Sequence, residues 1–237
     1  MGIASRREAE GLIKNGHVTV DGEVAHLGMK VGLGSHNIKI KNKAVSLRSE
    51  VPKVYWLLNK PDFTLVSKKG EQDKQTIFDL PSLKKVPFPL SAAGRLDYRT
   101  TGLLLLSNDG ELIHRLTHPS YKVPRHYHAL VPGKLTAEQL ASVRSGLKLQ
   151  DGVVSDVKIT YLDSQNLGKT SGSWYLVTVK EGRNRLVRRL FAHLDYKVLN
   201  LIRVGYGDLQ LPRQLEPGKY QQLTSREVSY LKRAVRL

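Results

Sequence analysis

The apolar and polar positions divide the chain into a short, weakly patterned beginning and a long, strongly patterned remainder. Ser5-Arg6-Arg7-Glu8 has the form of a capping box, in which a serine and a glutamate three residues later satisfy each other's backbone amides. It predicts a short helix through Leu12 and Ile13 that stops near Asn15-Gly16. The run 17–25, broken by Asp21-Gly22, predicts a tight hairpin, because Asp-Gly supplies the positive φ angles of a type I′ turn. Asn37 to Ile40 predicts another short strand. A module of residues 1–46 buries too little surface to be stable alone. Residues 47–53 read as a linker, since Pro52 disfavours helix at Val51.

Residues 54–237 then read as one large domain. Val54 to Lys60 predicts a buried strand stopped by Pro61. Lys68 to Lys74 reads as a polar loop, and Pro81 to Pro89 as an irregular basic one. Leu103 to Leu106 fits strand or helix by period, and the Asn108-Asp109-Gly110 turn behind it favours strand. Glu111 to Leu116 predicts a helix. Strands are expected over 127–131, 153–161 and 174–179, with Trp174, Leu176 and Thr178 on one face of the last. Thr136 caps an expected helix to Ser145 that turns Ala137, Leu140 and Val143 inward. The pattern is that of an α+β chain with a mixed, largely antiparallel sheet.

Charge sharpens this picture. The 237 residues hold 38 Lys and Arg against 21 Asp and Glu, a net charge of +17. Such an excess attracts polyanions, nucleic acid or anionic membrane. No apolar run approaches the ~20 residues of a spanning helix, and no recognition-helix motif points to DNA. There are no cysteines, which removes disulfides and thiolate metal sites. The start of the chain has no apolar signal core, so a cytoplasmic location is expected. His126 and His128 alternate on one strand face, but no third ligand is evident and no metal is expected.

The candidate chemistry lies in Ala93 to Arg99. Asp97 sits between Arg95 and Arg99 in a turn that feeds a buried apolar run, and acids are rarely kept near a core unless paired. Closing a turn before Thr100 is the bland reading of such an aspartate. A second concentration of charge is Arg183, Arg185, Arg188 and Arg189. On a helix the last three share a face, with Leu186, Val187, Leu190, Phe191 and Leu194 on the core side. A solvated basic face is the bland reading there.

Gly94-Arg95-Leu96-Asp97, with Thr100 and the run from Gly102 through Ser107-Asn108-Asp109-Gly110-Glu111, resembles the signature of pseudouridine synthases of the small-subunit and B/E/F large-subunit rRNA group. Asn59-Lys60-Pro61, Tyr127 and Glu181 to Arg185 match further blocks of that family in order. The first 46 residues resemble the small RNA-binding domain of ribosomal protein S-four, without its first helix, which implies a shortened start. Arg203 to Leu209 and Leu211-Pro212 are most like the B-type large-subunit enzymes.

The resemblance implies isomerisation of a uridine in rRNA, most like that of the large subunit. It assigns Asp97 as the essential aspartate, Tyr127 as the tyrosine that packs on the target base, and Arg188 as the cation paired with Asp97. Arg95 would help hold the gap left in the duplex. Lys60, Arg183, Arg185 and Arg189, with Arg6 and Arg7 of the first module, are expected to contact RNA. The base must leave its stack, at a cost of a few kcal/mol, which phosphate contacts must offset. The reaction conserves atoms, so no cofactor is implied, and a monomer is expected. Three pairs depart from the family pattern: Asp62-Phe63 where a glycine-containing turn is usual, Tyr98-Arg99 after the aspartate, and Arg125-His126 before Tyr127. The alternatives are a non-catalytic ribosome-assembly factor, or a synthase acting on small-subunit rRNA or tRNA.

Overall fold

A computed structural model of the chain describes residue 4 and residues 6–32, 35–45, 52–68, 70–71, 73–168 and 170–237. Backbone contacts divide it into two units, one of residues 1–52 with 87–89, the other of residues 53–86 and 90–237.

The first unit opens with helix α1 (Arg6–Lys14). It is followed by strands β1 (Val18–Val20), β2 (Glu23–Val24), β3 (Ile38–Ile40) and β4 (Lys43–Ala44), in the antiparallel order β2-β1-β3-β4. The hairpin turn is the one Asp21-Gly22 dictates, with φ of 53° and 98°. Among the described residues of this unit only Val20 and Ala25 are buried, so its core is slight. Ser5, the expected cap, residue 46 at the end of the expected module, and residues 47–51 of the expected linker lie outside the described residues.

In the second unit β5 (Tyr55–Lys60), β6 (Ser91–Ala92) and β7 (Thr101–Ser107) come first, then α2 (Gly110–Thr117), β8 (Arg125–Pro132) and α3 (Ala137–Ser145). Next are β9 (Leu147–Leu149), β10 (Gly152–Val154), β11 (Lys158–Asn166), β12 (Ser171–Val179) and α4 (Leu186–His193). The chain ends through β13 (Asn200–Tyr206), β14 (Leu209–Gln210), β15 (Tyr220–Gln222) and α5 (Ser225–Ala234). Nine strands form one sheet in the order β11-β12-β8-β13-β7-β5-β15, with β14 on β13 and β6 on β7. Every pairing is antiparallel except β13 with β7. The mixed, largely antiparallel α+β class read from the sequence is therefore correct.

Two apolar clusters cover this sheet. One packs Val187, Leu190 and Phe191 of α4 and Val143 of α3 on Ala129, Val131, Tyr175, Val177 and Val179. The other packs Leu112 and Leu116 of α2 and Leu231 of α5 on Leu57, Leu103 and Leu105. The parallel seam joins the two halves through only Ile202↔Thr101 and Arg203↔Gly102.

Several local expectations are corrected. The single strand over 153–161 is two, because Asp156 adopts φ of 60° and breaks it between β10 and β11. Thr136 does cap α3 in a reciprocal box with Gln139, but Ala137 is exposed, and Val143 carries the burial with Leu140 packed beside it. On β12 Trp174, Leu176 and Thr178 do share a face as expected, and it is the less buried one; Tyr175, Val177 and Val179 enter the core. No element was foreseen over β13 to α5.

Gly102 makes the seam possible. Its φ is 98°, and a Cβ there would run into the Arg203 carbonyl oxygen and, at 3.0 Å, the Arg203 nitrogen. Gly102→Ala should therefore destabilise the protein by about 3 kcal/mol, from left-handed backbone strain plus overpacking. Urea unfolding should show the midpoint falling at constant slope, whereas Gly110→Ala, whose Cβ meets nothing within 4 Å, should leave it in place.

Candidate active site

The connection from β6 to β7 carries Asp97, and the connection from β12 to α4 carries Arg183 and Arg185. The two connections face each other across a cleft of about 540 Å³ in the second unit. Asp97 and Tyr127 both line it, with Arg95, Arg125, Arg185 and Arg203.

Asp97 is held from three directions. Its own carbonyl accepts from Thr100 N at 3.0 Å, closing the turn. One carboxylate oxygen, Oδ2, lies 3.7 Å from Arg188 Nε and 3.7 Å from Arg185 Nη1. The side chain is 26% exposed, so the carboxylate stands at the cleft surface with its second oxygen outside both ion pairs. Arg188 itself is fixed: Nη1 donates to Val198 O at 3.1 Å and Nη2 to Arg99 O at 3.3 Å, which leaves Nε for Asp97. Burial, then the neighbouring Arg185 guanidinium, push the Arg188 pKa down, and Asp97 pushes it back up.

Beneath the Asp97 turn lies Lys60. It was expected to contact RNA, and the structure corrects this: Lys60 is fully buried. Its Nζ donates to Pro61 O at 2.9 Å, Tyr98 O at 3.3 Å and Thr100 O at 2.9 Å. A buried ammonium is costly unless its protons are satisfied, and here three carbonyls satisfy them. Burial pulls its pKa down to about 8, opposed by Asp62 and then Asp97. Lys60 is a staple for the aspartate loop.

The arginine cluster also differs from expectation. Arg185 is not inside the helix but precedes it, as a left-handed N-terminal residue with φ of 49°. Arg185 and Arg188 converge on Asp97, while Arg189 turns away to Asp151 Oδ2 at 2.8 Å and Asn184 O at 2.9 Å. That hydrogen bond holds the Asp151 pKa down at about 2. Arg183 pairs with Glu181 at 2.6 Å and donates to Val153 O at 2.7 Å. Arg183 and Arg189 thus clamp the β9–β10 hairpin. Arg95 is exposed at the cleft wall, Arg7 is exposed on α1, and the Arg6 side chain lies outside the described residues.

Tyr127 sits on β8 directly opposite Arg203 of β13, so the two side chains share a sheet face. Arg203, given no role from the sequence beyond its place in a C-terminal block, is 2% exposed, donates from Nε to Leu103 O at 2.7 Å, and lies 5.1 Å from the Tyr206 ring centre. Among the described residues, two buried side-chain polar atoms have no partner: Arg203 Nη2 and Thr100 Oγ1. Both residues line the cleft. An arginine within the apolar run Leu201 to Tyr206 was the signal in the sequence that could have found it. His126 bonds Thr178 Oγ1 through Nδ1 at 2.9 Å, and no metal-ligating cluster occurs among the described residues. No described helix is long and apolar enough to cross a membrane.

The cleft is thus basic and lined by both the arginine-paired Asp97 and Tyr127. The chain matches the RNA pseudouridylate synthase family over residues 54–193 and the S4 domain over residues 1–36, and it belongs to the RNA pseudouridine synthases. It is 38% identical over its whole length to the ribosomal large subunit pseudouridine synthases B of Yersinia pestis and Escherichia coli K12, spanning 74% and 80% of those proteins. An RNA pseudouridine synthase of Aquifex aeolicus is also 38% identical, with 92% of its length spanned. A crystal structure of a pseudouridylate synthase superposes with a TM-score of 0.65 at 29% identity, over 96% of this chain and 94% of that one.

The Lys60 staple has a pH signature. Below about pH 8 the amine is protonated folded and unfolded, and the full burial cost is present. Between about 8 and the ordinary 10.5 the folded protein releases the proton while the unfolded chain keeps it, so stability rises with pH. The unfolding free energy of wild type minus that of Lys60→Met should therefore climb across this interval in denaturant titrations. A flat difference would contradict the assignment.

Proposed function

We propose that the protein converts one uridine of large-subunit rRNA to pseudouridine, with Asp97, Tyr127 and Arg188 as its catalytic residues. The observation that carries this reading is the Asp97 carboxylate, paired at 3.7 Å with Arg185 and Arg188 in a cleft shared with Tyr127. The large-subunit substrate is supported by relatives of that name that match the chain from end to end. Residues 54–237 form the catalytic domain, and residues 1–46 add RNA affinity.

The chemistry follows from the positions. The C1′–N1 bond of uridine breaks, the uracil turns, and a C1′–C5 bond forms; H5 leaves as a proton and N1 gains one. An ionised carboxylate serves as nucleophile or base in such a sequence. Arg188, braced on two carbonyls, keeps the negative charge of Asp97 in place without reorganising. Tyr127 offers a ring face to the everted base and a hydroxyl for proton relay. Arg203 Nη2 and Thr100 Oγ1, buried without partners, suit the carbonyl and N3–H edges of uracil. Arg185 and Arg95, both exposed, suit phosphates.

Asp97→Asn should bind undermodified rRNA with near wild-type affinity and lose at least about a thousandfold in tritium release from 5-tritiated uridine in that RNA. Release at the wild-type rate would refute the catalytic role. Arg203→Met should raise KM or lower kcat about 10- to 100-fold in the same assay.

A further inference from the structure

Two of the sequence's departures from the family pattern meet in space. Phe63 and Tyr98 touch edge to face, with ring centres 5.7 Å apart and planes at 77°. The Arg99 guanidinium lies over the Phe63 ring, 4.8 Å from its centre, and the Lys74 ammonium lies 5.6 Å from the centre of Tyr98. Thr64 N donates to Tyr98 O at 3.3 Å and ties the two turns together.

Phe63 gains little from folding. It is 53% exposed, so its ring is not a core residue. Its φ is 52°, a left-handed conformation in which a bulky side chain is an outlier and glycine is at home. The strain is held by the Asp62 carboxylate, which accepts from Phe63 N at 2.9 Å. A strained, exposed aromatic under a cation calls for a ligand rather than a packing role. Its place names the ligand: Tyr98 and Arg99 directly follow Asp97, and Tyr98 lines the cleft.

We propose that Phe63, Tyr98 and Arg99 form a stacking platform for an unpaired nucleobase adjacent to the target uridine. The proposal rests on the cleft being the pseudouridylation site. Everting one base deprives its neighbours of a stacking partner. An exposed aromatic ring, backed on one face by an arginine, offers its other face in place of that partner, and does so with little regard to base identity. Lys74 and Arg99 meet the flanking phosphates.

The test uses the full chain, a single-stranded RNA oligonucleotide carrying one 2-aminopurine, and undermodified rRNA. Phe63→Gly removes the ring and relieves the backbone; Phe63→Leu keeps an apolar side chain without a π face; Phe63→Trp restores the face. Expected results are oligonucleotide binding about 5- to 50-fold weaker in Phe63→Gly and Phe63→Leu, with 2-aminopurine quenching lost and the dependence of log K on log salt unchanged. Phe63→Trp should recover both. On rRNA the first two variants should raise KM with kcat within threefold. Wild-type quenching and KM in both variants would overturn the platform while leaving the cleft reading intact. Absence of pseudouridine with the wild-type protein would instead sink the cleft reading and with it the place of the platform beside a target uridine, while the quenching experiment would separately decide whether Phe63 stacks a base.

Discussion

Cations committed to backbone carbonyls shape the floor of the cleft. Lys60 holds Pro61, Tyr98 and Thr100; Arg188 holds Val198 and Arg99; Arg203 holds Leu103; Arg125 reaches Val123, Lys180 and Leu116. Most of these carbonyls lie in turns and loops, outside any ladder, and a buried unpaired one is costly. A long cationic side chain satisfies several at once and is itself satisfied by them. Each loop of the site is therefore located by a charge that cannot leave without exposing both partners.

This alters the meaning of the net charge of +17. Part of the excess is internal structure, held on backbone carbonyls beneath the surface. Arg183 and Arg189 are similarly occupied by Glu181 and Asp151. What remains exposed along the cleft is Arg95 and Arg185, with Arg203 buried in its lining and Lys60 buried under the Asp97 turn. The arrangement separates positioning from recognition: the dry cations fix geometry, and the wet ones offer long-range attraction that salt would screen.

The seam between the half-sheets explains why the cleft lies where it does. Each half has its own apolar cluster under its own helices. Between them β7 and β13 run parallel over two residue pairs, where Gly102 admits the Arg203 backbone. Polar side chains from both halves converge there because neither core covers the junction. Asp97 enters from one half, and Tyr127, Arg185 and Arg188 from the other.

Much of this was legible in the order of residues. Alternation and turn chemistry gave β5, β7, β8, β12 and α2, because those segments are buried in simple periods and bounded by Pro, Gly or Asp. The motif around Asp97, with Tyr127 and Arg188 at their distances along the chain, named the class of enzyme. The C-terminal elements were not legible: β15 is three residues long and half-exposed, and its pairing with β5 joins positions far apart in the chain. Nor could the sequence sort its basic residues. Lys60 and Arg95 are both cations within the blocks that resemble the family, yet one is buried on three carbonyls and the other exposed. Residue type fixes which contacts a side chain can make, and so the sequence determined the chemistry available to this protein. Which carbonyl, carboxylate or open water each charge meets depends on segments far apart in the chain being brought together, as Lys60 with Thr100 and Arg203 with Leu103, and only the tertiary structure decided that.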